Sequence, residues 1–329
     1  MEGDLTRVRD IVRESVAGAA PRVREALSEL VERRGKLLRP AFVCLAARFR
    51  RVSKRRFFGL GRHEIPFGPD EPLPEKIYRM AAAVEILHLA TLVHDDIVDD
   101  ADERRGGAAL HRLYGGRDAA LMGDFLFSTC FSLVAEYGSM ENARILARGV
   151  SRICEAEIVE SEQDGPDDVS LRGYLRRIAG KTALLFALSF HVGASEHGVA
   201  ADNVRRLRRT GYDLGMGFQI IDDILDLTGD RDTLGKPAGT DLRQGILTAP
   251  VILALERDRD ERLWWLLSAD APNVEAVQSA VSERGGFDRA REIARRYTER
   301  ALREADYLPP GAVRDTLVGA ARRLLEREY

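Results

Sequence analysis

Two stretches of this chain space aspartates so that they could do chemistry together: Asp95-Asp96-Ile97-Val98-Asp99 and Asp222-Asp223-Ile224-Leu225-Asp226. Each follows an apolar run with helical periodicity. On a helix, positions i and i+4 lie one above the other, so Asp95 shares a face with Asp99, and Asp222 with Asp226. Two carboxylates about 5 Å apart repel by roughly 3 kcal/mol at an effective dielectric of about 20. A hard divalent cation offsets that repulsion. Mg²⁺ takes oxygen ligands, keeps part of its water shell and bridges carboxylates to phosphate oxygens. One such motif reads equally well as a solvated acidic helix face. Two copies, each behind an apolar run, point to two metal-holding walls facing one cavity.

A site that holds phosphate also needs cations of its own. Arg104-Arg105-Gly106 follows the first cluster, and Gly35-Lys36-Leu37-Leu38-Arg39-Pro40 lies near the start. Arginine suits bidentate phosphate recognition and lysine supplies a point charge. Lys181-Thr182 sits inside the apolar run IAGKTALLFALSF, a costly place for a charge without a partner. Lys236 lies in the Gly-rich stretch after the second cluster. Taken singly, each of these reads as a solvated surface cation.

The elements that must position these residues are helices. Ala, Leu, Arg and Glu dominate, and apolar residues recur at three- and four-residue steps, as in Val8, Ile11, Val12 and Val16, or Leu27, Leu30 and Val31. Alternating strand patterns are nearly absent. The expected fold is all-α, a single body over residues 1–329, with Gly/Pro-rich loops punctuating the helices and a loop insertion at 50–74. That insertion carries a basic run, Arg48 to Arg56, which reads as a solvated loop or as a transient contact with anionic lipid.

Composition excludes other classes. Lys plus Arg is 50 and Asp plus Glu is 53, a net charge of −3, without the basic excess of a dedicated nucleic-acid binder. Cys44, Cys130 and Cys154 form no CxxC pair, which fits a reduced, cytoplasmic compartment, and each reads as a small buried hydrophobe. The apolar stretch from Met80 to Val93 is broken by Glu85 and His88, shorter than the ~20 residues of a membrane span. Trp264 and Trp265 read as core or interface residues.

Taken together, the motifs resemble the trans-isoprenyl diphosphate synthases, the polyprenyl synthetase family. Its DDxxDxxxxRRG runs here from Asp95 to Gly106, and its GxxxQxxDDxxD from Gly215 to Asp226 with Gln219. GKxxGxD follows as Gly235-Lys236 to Asp241, GGKxxRP is present with Arg34 for the first Gly, and His88, His94 and Lys181-Thr182 complete the order. The resemblance implies a helical bundle of the isoprenoid synthase type with a central active-site cavity, working as a homodimer. It implies a Mg²⁺-dependent prenyltransferase that joins isopentenyl diphosphate to an allylic prenyl diphosphate. Asp95, Asp99 and Asp222 would hold three Mg²⁺ ions, supported by Asp96, Asp223 and Asp226. Arg104, Lys181 and Lys236 would hold the allylic diphosphate; Lys36, Arg39, His88 and Arg105 would hold isopentenyl diphosphate. Thr182 and Gln219 would stand beside the developing cation. Ala90 and Thr91, a turn before Asp95, are small where short-chain members carry aromatics, which implies a long product, hexaprenyl to decaprenyl. Ile246 stands where many relatives have lysine, and Glu160 near a position where they carry glutamine.

Four other readings remain at this level: a shorter-chain geranylgeranyl or farnesyl diphosphate synthase with Phe125, Phe127 or Phe131 as the pocket floor, a non-catalytic helical partner subunit, a structural helical bundle whose acidic patches are incidental, and a terpene cyclase. Partner subunits lose the aspartate motifs, and cyclases do not carry a second DDxxD.

Overall fold

The computed structural model describes residues 1–33, 35, 37–49, 51–52, 64–65, 71–104, 106–161, 170–229, 239–269 and 272–325. It is all-α apart from two tiny ladders. The helices are α1 (Glu2–Ala17), α2 (Pro21–Glu32), α3 (Leu38–Ala47), α4 (Glu75–Val98), α5 (Leu110–Tyr114), α6 (Gly116–Tyr137), α7 (Met140–Ser161) and α8 (Leu171–Ile178). A π-helical turn, Ala179–Ala183, leads into α9 (Leu184–Glu196). Then follow α10 (Ala201–Thr228), α11 (Thr240–Arg243), α12 (Ala249–Leu255), α13 (Arg262–Leu267), α14 (Val274–Glu283), α15 (Gly286–Asp306) and α16 (Ala312–Leu325). The ladders are antiparallel: β1 (Arg51–Val52) with β2 (Glu64–Ile65), and β3 (Glu103–Arg104) with β4 (Gly107–Ala108).

The chain forms two compact units. One comprises Met1–Gly149, Phe186–Arg208 and Leu308–Asp315; the other Val150–Leu185, Arg209–Tyr307 and Thr316–Tyr329. In the first unit α4 is the central element, packed by α1, α3, α5 and α6. It is apolar on every side, with Ala81 to Leu87 and Leu89-Ala90 buried, as expected of a helix surrounded by others. The run Val8, Ile11, Val12, Val16 is buried as its spacing predicts. Gly193 marks a close approach to α3, since a Cβ there would lie 2.0 Å from the Val43 carbonyl oxygen. Phe42 stacks on Phe190 beside it, with ring centroids 4.7 Å apart.

In the second unit α12 packs against α8, α13, α14 and α15, over a core that includes Ile220, Ile224, Leu253, Val281 and Phe287. Ser170 caps α8 by accepting from the Gly173 amide, and Asn273 caps α14 by accepting from the Ala276 amide, each worth about 1 kcal/mol.

The insertion begins and ends at a buried clamp. Arg48, just past α3, donates to both carboxylate oxygens of Asp4 at 2.9 and 2.8 Å and to the Glu71 carbonyl at 2.8 Å. Tyr78 donates to Asp4 at 2.8 Å. The bulk of the insertion lies outside the described residues.

One reading of the sequence needs correction. Cys44 and Cys130 are buried, but Cys154 is exposed. It occupies an outward position on α7, off the buried stripe of Leu146, Gly149 and Ile153. Trp265 is exposed as well, whereas Trp264 is half-buried. Gly116–Tyr137 and Leu171–Glu196 are each long and apolar enough to cross a membrane by length and composition alone. Core helices pass the same test, and most of the second is buried in protein.

Candidate active site

The two aspartate motifs fall in different units, and each is built by its own surroundings. The first closes α4. Asp95 is half-buried, Asp96 buried, and Asp99 is the half-buried cap residue whose amide donates to the Asp95 carbonyl at 2.8 Å. The helix stops because Asp100 turns left-handed, with φ of 47°, a conformation aspartate tolerates better than most side chains. Arg112 pairs with Asp100 and Asp102 at 2.9 and 3.0 Å, which fixes the turn into the β3–β4 hairpin.

Arg104 sits on that hairpin and does what the spacing alone could not show. Its Nε donates to Asp96 Oδ1 at 2.6 Å, and its guanidinium forms an ion pair with the same carboxylate. Asp96 is therefore the hairpin's anchor, while Asp95 and Asp99 keep the more accessible positions.

Upstream on α4, His88 is half-buried and its carbonyl accepts from the Thr91 hydroxyl at 2.9 Å. That bond commits the threonine proton within its own helix, while its oxygen can still accept. Ala90 is completely buried. Arg39 lies over the Phe186 ring, 5.3 Å from its centroid. His94 stacks on Phe127 and comes within 3.3 Å of Asp124. Gly123 makes room for it, since a Cβ there would be 2.5 Å from His94 Nε2.

In the second unit four polar side chains form one chain of hydrogen bonds. Thr182 donates to Gln219 Oε1 at 2.6 Å, Gln219 Nε2 donates to Asp223 Oδ1 at 2.7 Å, and Tyr174 donates to Asp223 Oδ2 at 2.6 Å. Burial pushes Asp223 up to about 7 and holds the Tyr174 hydroxyl well above the usual phenol range. The two donors offset part of that desolvation. Asp222, one residue earlier, is exposed. Asp226 is buried and accepts at 3.2 Å from the Asp241 amide, and its carbonyl accepts from Gly239 at 2.7 Å. It thus ties the end of α10 to the segment that opens α11.

Lys181 and Thr182 sit on the π-helical turn, the kind of one-residue widening often found at functional sites. Gly180 permits close approach to α7, because a Cβ there would be 2.7 Å from the Ala156 methyl. Lys181 Nζ lies 3.4 Å from Glu157 Oε2. Glu157 Oε1 is buried with no hydrogen-bond partner among the described residues.

The structure thus brings together Asp95, Asp96, Asp99 and Arg104 in one unit, and Lys181, Thr182, Gln219, Asp222 and Asp223 in the other. Lys36, Arg105, Lys236 and the Glu160 side chain lie outside the described residues. Sequence reasoning missed Tyr174 and Glu157. Tyr174 stands seven residues before Lys181, two helical turns away, and is the only hydroxyl-bearing residue in α8. Nothing local pairs it with Asp223. Glu157 is one acid among several on a polar helix.

The donor set fits Mg²⁺. The accessible ligands are carboxylates, and among the described residues no cluster of three or more metal-binding side chains is assembled. Carboxylate oxygens are the ligands Mg²⁺ takes, beside water and phosphate.

An all-helical chain with paired aspartates and phosphate-seeking cations defines a prenyltransferase of the isoprenoid diphosphate type. A family model described as Polyprenyl synthetase matches residues 20–284, and the chain belongs to that family: it is a trans-prenyltransferase, of a family that depends on Mg²⁺ and acts on isoprenyl diphosphates. It is 36% identical to heptaprenyl diphosphate synthase component 2 of Geobacillus stearothermophilus, over 100% of this chain and 97% of the relative. It is 32% identical to an all-trans-nonaprenyl-diphosphate synthase (geranyl-diphosphate specific) of Rhodobacter capsulatus, over 98% of this chain and 95% of the relative. Its fold matches a polyprenyl synthase from Caulobacter crescentus CB15, complexed with calcium and isoprenyl diphosphate, with a TM-score of 0.87, 31% identity, and 100% and 96% of the two chains covered.

Proposed function

We propose that this enzyme is a long-chain polyprenyl diphosphate synthase, which adds isopentenyl diphosphate head-to-tail to an allylic prenyl diphosphate until an all-trans chain of hexaprenyl to decaprenyl length is made. The observation that carries the length is the small pair Ala90 and Thr91, which places no aromatic ring one turn before Asp95. The full-length likeness to relatives named heptaprenyl and nonaprenyl synthases supports it.

In this reading Asp95 and Asp99 hold two Mg²⁺ ions and Asp222 a third. The bound ions supply electrostatic stabilisation of charge on the departing diphosphate. Arg104, Lys181 and Lys236 bind and orient the allylic diphosphate, so that positive charge meets the leaving oxygen as its bond to carbon breaks. Lys36, Arg39, His88 and Arg105 hold isopentenyl diphosphate with its double bond toward the allylic carbon. Thr182 presents its oxygen beside the allylic cation, while its proton is committed to Gln219. The double bond attacks, a proton leaves to the released diphosphate, and the chain is five carbons longer. The apolar helices exclude the water that would quench the cation. Residues 1–329 act as one synthase domain, a reading supported by a family match that runs over 20–284; the compartment is the cytoplasm and the working form is a homodimer.

The deciding experiment incubates the purified chain with Mg²⁺, labelled isopentenyl diphosphate and farnesyl diphosphate, and separates the dephosphorylated products by length. Prenols of six to ten units, abolished by Asp95→Ala or Asp222→Ala in folded protein, are expected. Products of four units or fewer would overturn the long-chain reading. A second reading has one specific support, the Geobacillus relative's designation as component 2: incorporation only after a second subunit is added would make this chain one part of a two-part synthase.

A further inference from the structure

Arg33, the residue that ends α2, is not part of any motif singled out in the sequence, yet its side chain is nearly buried, at 9% exposure. Its Nη1 donates to the Arg104 carbonyl at 3.1 Å and to the Ala108 carbonyl at 2.9 Å, while Nη2 is held by Glu29 at 2.8 Å. These two carbonyls lie on opposite strands of the β3–β4 ladder, in which Glu103 pairs with Ala108 and Arg104 with Gly107. A ladder that short has little stability of its own. Gly107 completes the fit. Its φ is not in the left-handed region, so the backbone does not demand glycine there. A Cβ, however, would stand 2.7 Å from Arg33 Cζ and 2.8 Å from Nη2. The guanidinium occupies the space a side chain would take.

We propose that Arg33 is a positioning residue for the diphosphate-binding arginine Arg104, locking the hairpin backbone from one side while Asp96 holds the Arg104 guanidinium from the other, and that Gly107 is the second half of this lock. Lysine cannot replace Arg33, because a single ammonium lacks the planar fork that reaches two carbonyls while keeping a third bond. The inference rests on the reading of Arg104 given above.

Steady-state kinetics of Arg33→Met, Arg33→Lys, Gly107→Ala and the Arg33→Met/Gly107→Ala double variant test it. Each single variant is expected to raise KM for the allylic diphosphate about tenfold with kcat changed by less than about threefold. The double variant is expected to be no worse than the poorer single one, as for two changes that break one interaction. An unchanged KM in a folded single variant, or KM effects that multiply in the double variant, would overturn the proposal. If Arg33→Met does not fold, Gly107→Ala, which keeps every native side chain, decides alone. Arg104→Ala separates the two layers: if it leaves KM unchanged, the role given to Arg104 has failed; if it raises KM while Arg33→Met does not, only the lock has failed.

Discussion

The Tyr174 hydroxyl donates to Asp223 at 2.6 Å inside a fully buried environment, joining α8 to the middle of the second aspartate motif. The middle aspartate is therefore part of the scaffold, and through Gln219 it holds Thr182. Tyr174→Phe removes the donor but keeps the ring, leaving a buried carboxylate oxygen short of a partner. We expect a loss of about 1–3 kcal/mol in urea unfolding, together with lower turnover as Gln219 and Thr182 lose their fixed orientation. Stability equal to that of the parent chain would show that the bond carries no weight.

Ala90 and Thr91 are neighbours with different prospects. Ala90 has no exposed surface, so Ala90→Phe overpacks the helix interior and is expected to cost about 1–3 kcal/mol. Thr91 is half-buried. Thr91→Phe is expected to leave the fold intact and shorten the product by several isoprene units. Chain-length analysis of the two variants checks this; an unchanged product spectrum for Thr91→Phe would remove that residue from length control.

Glu157 stands 3.4 Å from Lys181, and in the function proposed above it competes with the allylic diphosphate for that charge. Glu157→Gln keeps the shape and drops the negative charge. KM for the allylic diphosphate is expected to fall about two- to fivefold, measured with isopentenyl diphosphate saturating. A higher KM would mean that the carboxylate holds the lysine in its working place.

Asp213 predicts a pH dependence. Burial, only partly offset by the Arg300 guanidinium at 2.9 Å, pushes its carboxyl from 3.8 up to about 6. The folded protein holds a proton there that the unfolded chain has already released, so stability falls as pH rises from about 4 through about 6. Asp213→Asn should therefore gain at most about 3 kcal/mol at pH 8, and the gain should vanish near pH 4. Thermal melts at both values decide; a variant less stable at pH 8 would mean that the ion pair outweighs burial.

Much of the site was legible in the sequence because its parts are local. The i, i+4 spacing of Asp95 and Asp99, the apolar runs before each motif and the helical periodicity of α1 and α2 are all visible within one or two turns. What stayed hidden depends on contacts between distant segments. Tyr174 and Asp223 are 49 residues apart, and Arg33 and Arg104 are 71 apart. Neither pair leaves a trace in either local sequence. The π-helical turn at Lys181 was hidden for a different reason: AGKTA suits an α-helix equally well, and the widened turn appears only in the folded chain. The exposure of Cys154 and Trp265 likewise depends on which side of a helix finds a neighbour.

The clamp at Arg48 has a consequence for how the chain can change. Its guanidinium already holds Glu71 and Asp4, and the Arg51–Ile65 and Val52–Glu64 pairing brings the two edges of the intervening stretch together. With both edges sewn to the body, doubling the number of residues between them costs only about 0.6 kcal/mol of closure entropy. The clamp thus sets the distance between the end of α3 and the approach to α4, whatever the length of chain between them.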